Sequence, residues 1–285
     1  MSEYVLLKRV RVQNANALSS PFTFGFPAVT AFLGFAHALQ RQVNPTADPD
    51  ELLITGVGIV SHALDLQDHQ DNYSRTLRLT ANPLDKDGNR PSFVEEGRCH
   101  LTVSLVLEVE NLPNGRAREE LVCDLPQRLL ARCKLAGGDI LSVARVQVLA
   151  DNKAGLRALM PGYALLERRQ LMAEAMQAGQ DALDALHGLL QIQHRCTLNA
   201  DEKTATWHSS RAQAGWIVPI AVGFHALTAP SVAQQQRDEQ TPHRFVESVI
   251  TAGEFVMPYR LTGLADLIWR YQHAPDSDVY LCSQV

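Results

Sequence analysis

From Leu101 to Val109 every second residue is a large aliphatic: Leu101, Val103, Leu105, Leu107 and Val109. Thr102, Ser104 and Glu108 stand between them, and Val106 is the one interruption. A period of two over that length specifies a β-strand, read here over His100–Glu110, with one face on a core. Tyr4–Gln13 reads the same way, with Val10 and Val12 facing one side and Arg9, Arg11 and Gln13 the other. Val29, Phe32, Leu33, Ala36 and Leu39 switch to helical spacing. That predicts a helix from Pro27, a good first helical residue, to about Gln42, with Pro45 and Pro49 beyond it. Leu52–Leu64 reads as a glycine-interrupted strand. After the turn Asn114-Gly115 a helical pattern runs to Cys133, with Pro126 marking a kink or break. A glycine loop, Leu135-Ala-Gly137-Gly138, then leads into an apolar strand from Ile140 to Leu149.

The order is β-α-β-β-α-β, which predicts an α+β, ferredoxin-like or RRM-like sheet covered by helices on one face. Residues 1–150 form this unit, and an inserted hairpin occupies about 65–98. Its arms are read as Tyr73–Thr80 and Pro91–Val94 around the turn signal Asp87-Gly88. Residues 151–285 read as a helical insert plus a mixed C-terminal region packing on the core. A helical stretch from Tyr163 to His194 breaks near Gly179, and Trp216–Leu227 is strand-like. Thr241-Pro242 opens a helix, Leu261–Tyr271 forms another, and Val279–Ser283 is a last strand.

The chain carries 26 Lys and Arg against 31 Asp and Glu, a net charge of −5. Taken alone, that argues against a wholesale nucleic-acid binder. The distribution is uneven. Tyr4–Ala47 contains no acid but holds Lys8, Arg9, Arg11 and Arg41. Lys203–Arg237 is likewise acid-free with Lys203, Arg211 and Arg237, and Leu125–Gly138 carries Arg128, Arg132 and Lys134 unopposed. Such segregation can build a local positive surface on an acidic protein, or simply record coding bias and burial.

Enzyme signatures fail one by one. Thr55-Gly-Val-Gly58-Ile-Val-Ser61 approaches a dinucleotide fingerprint, but Ser61 stands at the third glycine position. Neither a phosphate-binding P-loop nor a zincin or nucleophile-elbow motif is present. Five scattered cysteines without a C-x-x-C support neither a disulfide framework nor a zinc ribbon. No apolar run reaches the length of a membrane span. Met1-Ser2-Glu3-Tyr4 places an acid where a signal peptide would be basic, so a cytoplasmic location is expected. The pair Gly137-Gly138 reads either as a helix C-cap or as bare backbone for close approach to a polyanion.

Several segments carry a resemblance. They are Gln13-Asn-Ala-Asn-Ala17 with Ser19-Ser-Pro21, and Gly25-Phe-Pro27 with Gly34-Phe-Ala-His-Ala-Leu-Gln-Arg41. Asn82-Pro-Leu-Asp-Lys-Asp-Gly88 and Val94-Glu-Glu-Gly-Arg-Cys-His-Leu101 follow. Leu135-Ala-Gly-Gly138, Gly215-Trp-Ile-Val-Pro219 and Arg244-Phe-Val-Glu247 complete the series. In this order, from about Val5 to about Tyr271, the chain resembles the second Csy subunit of type I-F CRISPR systems. These belong to the Cas-five group of the RAMP superfamily.

The resemblance implies a non-catalytic subunit of an RNA-guided surveillance (Csy, or Cascade) complex serving antiviral DNA interference. It implies binding of the CRISPR RNA 5′ handle, a heterodimer with the large Csy subunit, and contact with the Csy backbone subunits. Target double-stranded DNA would be met through the complex; neither a membrane nor a cofactor or metal is implied. Asn14, Asn16, Ser19 and Ser20 then have the groups to read base edges or 2′-hydroxyls. Phe24 would stack on a base or pack in the core. Arg98 and Lys134 become candidate phosphate contacts, with Gly137 and Gly138 supplying N–H donors. Arg211 is either a further contact or a solvated surface residue. The alternative is a RAMP-type repeat ribonuclease using His37 or His100, although no His pair is evident and His37 is expected in a packed position.

Overall fold

The computed structural model describes all residues except 1–2, 47, 78–82, 92–95, 200–203, 235–237, 239, 274–276 and 285. The first half contains β1 (Glu3–Asn16), β2 (Leu18–Ser20), β3 (Thr23–Phe24), α1 (Val29–Val43) and β4 (Leu53–Leu66). It continues through β5 (Asp68–Gln70), β6 (Arg75–Leu77), β7 (Arg98–Glu110), α2 (Gly115–Arg132), β8 (Lys134–Leu135) and β9 (Gly138–Leu149). The second half holds α3 (Lys153–Ala158), β10 (Tyr163–Glu167), α4 (Arg169–Gln177), α5 (Ala182–Leu190), β11 (Ile192–Asn199) and β12 (Thr204–Arg211). It ends with β13 (Ile217–Ala226), β14 (Val246–Val256), β15 (Ile268–His273) and β16 (Val279–Ser283).

The molecule is a mixed α+β, sheet-dominated protein. One ten-stranded sheet runs β10-β14-β13-β16-β15-β4-β7-β1-β9-β8, and β10 also pairs with β4. The strands β4, β15, β16, β13, β14 and β10 therefore close on themselves, while β4-β7-β1-β9 fans outward as an antiparallel sheet. Strands from both halves of the chain meet at β4. Helix α1 packs against β4, β13 and β15. Phe32, Leu33, Phe35, Ala36 and Leu39 bury against Leu101, Leu105, Ile220, Val222 and Trp269. A second core on the other face gathers Leu6, Val60, Val106, Leu156, Leu166, Leu264 and Leu267. β7 is thus buried on both faces, which is why Val106 interrupts its alternation.

Strand β1 carries two register shifts, and Arg9 (φ 49°) and Asn14 (φ 55°) take the left-handed conformation there. Bulges leave backbone N–H groups outside the ladder. Arg9 N donates to Ser104 Oγ at 3.0 Å and Asn14 N to His100 Nδ1 at 3.1 Å.

Several sequence expectations are corrected. Tyr163–Glu167 is a strand, not the start of a helix. Its alternate residues are buried in different cores, Leu165 in one and Ala164 and Leu166 in the other, so its unbroken apolar run is that of a central strand. The break at Gly179 (φ 90°) is where α4 and α5 separate. Thr241-Pro242 opens no helix. His243 bridges to Ser231, and the β-branched run that follows pairs with β13 as β14. Leu261–Tyr271 is not helical either. Two short 3-10 turns, Pro258–Arg260 and Ala265–Leu267, bury Leu264 and Leu267 before β15 begins. α2 runs through Pro126 unbroken. In the inserted segment Asp68–Gln70 pairs with Arg75–Leu77, so the observed hairpin turns near Asn72. Asp87-Gly88 forms a separate tight turn, with Gly88 N donating to Asp85 O at 3.0 Å. Residues 78–80 of the first expected arm and 92–94 of the second lie outside the described residues.

Candidate nucleic-acid interface

The polar loop after β1, the N-terminal end of α1 and the β8–β9 hairpin converge on one groove of about 560 Å³. Asn16 and Ser19 line it from the loop, Ala28, Thr30, Ala31, Gly34 and Ala38 from α1, and Lys134, Ala136 and Gly137 from the hairpin. Phe224 of β13 closes the far side.

Each wall has a local cause. Asn16 makes an Asx turn: its Oδ1 accepts from Leu18 N at 3.1 Å and its Nδ2 donates to Leu18 O at 3.0 Å. Ser19 Oγ donates to Phe26 O at 2.9 Å, tying the loop to the start of α1. Ala136 (φ 50°) and Gly137 (φ 77°) are both left-handed between the paired residues Leu135 and Gly138. That is the geometry of a two-residue hairpin turn. The glycines therefore do not cap a helix; α2 ends at Cys133, ahead of the hairpin. The two glycines also differ. A Cβ at Gly137 would meet nothing within 4 Å, whereas one at Gly138 would lie 2.5 Å from Gln13 O and 2.7 Å from Ala15 N. Gly137 faces open space at the groove, and Gly138 lets β9 close on β1.

The electrostatics favour an anion. α1 has 15 residues, no capping side chain at Ala28 and no acid in its first turn. Ala31 N donates to Ala28 O at 3.0 Å, no side chain caps the turn, and the positive end of the helix dipole lies at the groove, which Ala28, Thr30 and Ala31 line. Lys134 adds a cation whose only partner among the described residues is Asp139, at 2.8 Å, both side chains being largely exposed. Arg41 continues the Ala31–Gly34–Ala38 stripe of α1 and is exposed. This stripe is the part of the groove that the sequence reading missed. Its small residues were visible at helical spacing, but nothing local says which side of a helix will face a cleft.

The other expected contacts are placed elsewhere. Ser20 is buried, its hydroxyl sharing a 2.7 Å hydrogen bond with Thr23 and accepting from Phe22 N. It shapes the loop. Asn14 is exposed on the β1 bulge, where its N–H donates to His100, and it does not line the groove. Phe24 is half-exposed and its ring covers Gly97. Arg98 is held by Glu96, with Nη2 and Oε2 2.6 Å apart. Arg211 stands at the base of the exposed β11–β12 ribbon, opposite Ile192.

Among the described residues no three His, Cys, Asp or Glu side chains could share a metal ion. His37 is exposed on α1, correcting the expectation of a packed position. His100 lies on the sheet face opposite α1, since its neighbours Cys99 and Leu101 belong to the α1 core. The sheet therefore separates the two imidazoles. Burial pushes the Cys99 thiol up to about 11 and the Cys282 thiol up to about 12, which keeps both protonated. No helix among the described residues is long and apolar enough to cross a membrane.

Comparison with known proteins places the chain among the CRISPR-associated proteins. The model of the CRISPR-associated protein family Cas_Csy2 matches residues 5–282. The CRISPR-associated protein Csy2 of Pseudomonas aeruginosa strain UCBPP-PA14 is 37% identical, over 97% of this chain and 93% of that protein. The chain therefore belongs to the Csy2 family of type I-F CRISPR systems.

Proposed function

We propose that this chain is a non-catalytic subunit of a Csy surveillance complex and holds the 5′ handle of CRISPR RNA in the groove at the α1 N-terminus. One observation carries the reading: a bare helix N-terminus, a left-handed glycine turn and a lysine converge on a single groove. All three are means of holding phosphates. Gly137 and Lys134 contact the backbone of the strand, Ser19 and Asn16 hold the loop against it, and Asn14 and Arg98 flank its path. The order of β9-β1-β7-β4, with α1 and α2 in the intervening connections, supports a RAMP-type ferredoxin-like core within residues 1–150. Residues 151–285 then form the region that completes the sheet around α1. The large Csy subunit is the expected heterodimer partner, with the backbone subunits and target DNA beyond it, in the cytoplasm.

The test is binding of labelled handle RNA by the full chain, alone and with the large subunit, at several salt concentrations. Lys134→Ala should weaken binding across sequences and lower the salt slope by about one phosphate's worth. Handle RNA that binds no better than a scrambled strand of equal length, with Lys134→Ala behaving as wild type, would remove the groove from the account. No cleavage of repeat RNA is expected; a cleavage activity abolished by His37→Ala or His100→Ala would establish the ribonuclease instead.

A further inference from the structure

A second cavity, of about 440 Å³, lies on the other side of the same polar loop. Phe24 and Phe26 form one wall, Ser61 and His62 of β4 the floor, and Tyr163 and Trp216 the opposite wall. Its rings are organised. Tyr163 meets Trp216 edge-on with centroids 5.2 Å apart, Trp216 lies 5.0 Å from Phe255, and Phe255 meets Phe26 edge-on at 5.3 Å. Phe26 in turn stacks on buried Phe32, which anchors the set to the core. Trp216 nevertheless stays 50% exposed and Phe24 43%.

No carboxylate, lysine or arginine lines this cavity. His62 is committed elsewhere: Nε2 shares a 2.7 Å hydrogen bond with Ser104 Oγ and Nδ1 a 2.5 Å one with Pro161 O. The hydroxyls of Ser61 and Tyr163 and the indole N–H of Trp216 make no hydrogen bond to the described residues. A site of this kind suits a neutral, flat ligand with polar edges, for which rings supply stacking and three polar tips supply edge contacts. An aliphatic side chain would leave those tips unused. The segment from Asn16 to Pro27 supplies a wall to both cavities, so a strand lying in the groove passes within reach of this one.

We infer that the Phe24–Tyr163–Trp216 cavity receives one unstacked nucleobase of the strand held in the groove. The inference rests on the proposed handle binding and names a base-stacking subsite for it. Stacking, rather than sequence-specific hydrogen bonding, supplies most of the hold, so purine and pyrimidine differ less there than base and no base.

The experiment scans an abasic site through the handle RNA and measures binding to the full chain with its large subunit. One position should be the sensitive one, losing about tenfold or more with wild-type protein. That loss should vanish in Trp216→Ala and in Phe24→Ala, because the base then has nothing to stack on. Phe24 sits on the loop and is half-exposed, so its variant reports on the cavity even if Trp216→Ala folds poorly. If handle RNA binds normally and no abasic position responds to either variant, the cavity holds no base and the groove reading stands. If both variants bind RNA as wild type but lose the large subunit in gel filtration, the cavity receives a protein side chain. If handle RNA does not bind at all, both readings fall.

Discussion

Gly138 offers the sharpest test of how the β8–β9 hairpin is seated. A methyl group there would lie 2.5 Å from the carbonyl oxygen of Gln13 and 2.7 Å from the nitrogen of Ala15, and 2.8 Å from a methyl of Val12. The first two are backbone atoms of the central strand β1, so a rotamer change cannot relieve the contact. Either β9 withdraws and its ladder with β1 loosens at Gln13↔Asp139, or β1 moves against β7. Forcing extra volume into such a site costs about 1–3 kcal/mol. Backbone contacts place Gly138→Ala in the upper part of that range. For a chain of this size that corresponds to a fall of roughly 3–5 °C in Tm. Gly137→Ala meets no atom but keeps a left-handed turn, so its cost is roughly 1–2 kcal/mol of conformational strain. Differential scanning fluorimetry on the two variants, paired with handle-RNA binding, separates them. Gly138→Ala should melt clearly lower than Gly137→Ala. Gly137→Val should lose RNA affinity beyond what its stability change explains. Equal melting of wild type and Gly138→Ala would refute the close approach of the two strands.

Other features give independent outcomes. Glu108 is buried and held by Arg270 through two contacts of 2.7 and 2.9 Å and by Thr55 at 2.8 Å. Arg270→Met should therefore cost about 2–4 kcal/mol in urea unfolding, while Arg270→Met with Glu108→Leu should recover part of the loss; equal destabilisation by both would count against the pair. The His62 imidazole is held below its ordinary value of 6.5 first by burial, with Arg9 and Lys8 adding to the effect while the Pro161 carbonyl opposes it. Its folded form favours the neutral ring, so its contribution is complete above about pH 6.5 and is lost as pH falls toward the folded value. Tm should drop on acidification below pH 6.5, and His62→Gln should flatten that slope; an unchanged slope would exclude His62 as the cause. Of the five cysteines, Cys123 and Cys196 are exposed while Cys99, Cys133 and Cys282 are buried. Titration with a thiol reagent at neutral pH should show two fast groups and three that react only on unfolding, and more than two fast thiols would mean that the cores open.

The first 150 residues were readable because each element there carries one dominant period. Val10 and Val12 in β1, alternate residues from Leu101 to Val109 in β7, and Phe32, Leu33, Ala36 and Leu39 in α1 all enter the same core, so their spacing was visible even though Val106 of β7 turns to the other face. The second half misled where that condition failed. Leu165 and Leu166 face different cores, so the strand that holds them has no alternation to detect. Leu261, Leu264 and Leu267 have helical spacing but reach their core through short turns. The candidate site divides along the same line. Asn16, Ser19, Lys134 and Gly137 could be named from residue type, whereas Gly34 and Ala38 entered only when α1 was seated.

By itself, the sequence determined the β-α-β-β-α-β order, the polar loop ahead of α1, the glycine pair and the absence of recognised catalytic signatures, because these depend on residue type and near-neighbour spacing. Tertiary structure alone decided that β10 reaches β4 to close a ring of strands, that Gly137 faces space while Gly138 faces backbone, and that Phe24, Tyr163 and Trp216 meet across one cavity. Those relations join distant segments of the chain, such as Gly138 with Gln13 or Phe24 with Tyr163, and they are set by which faces find burial together rather than by any pattern along the chain.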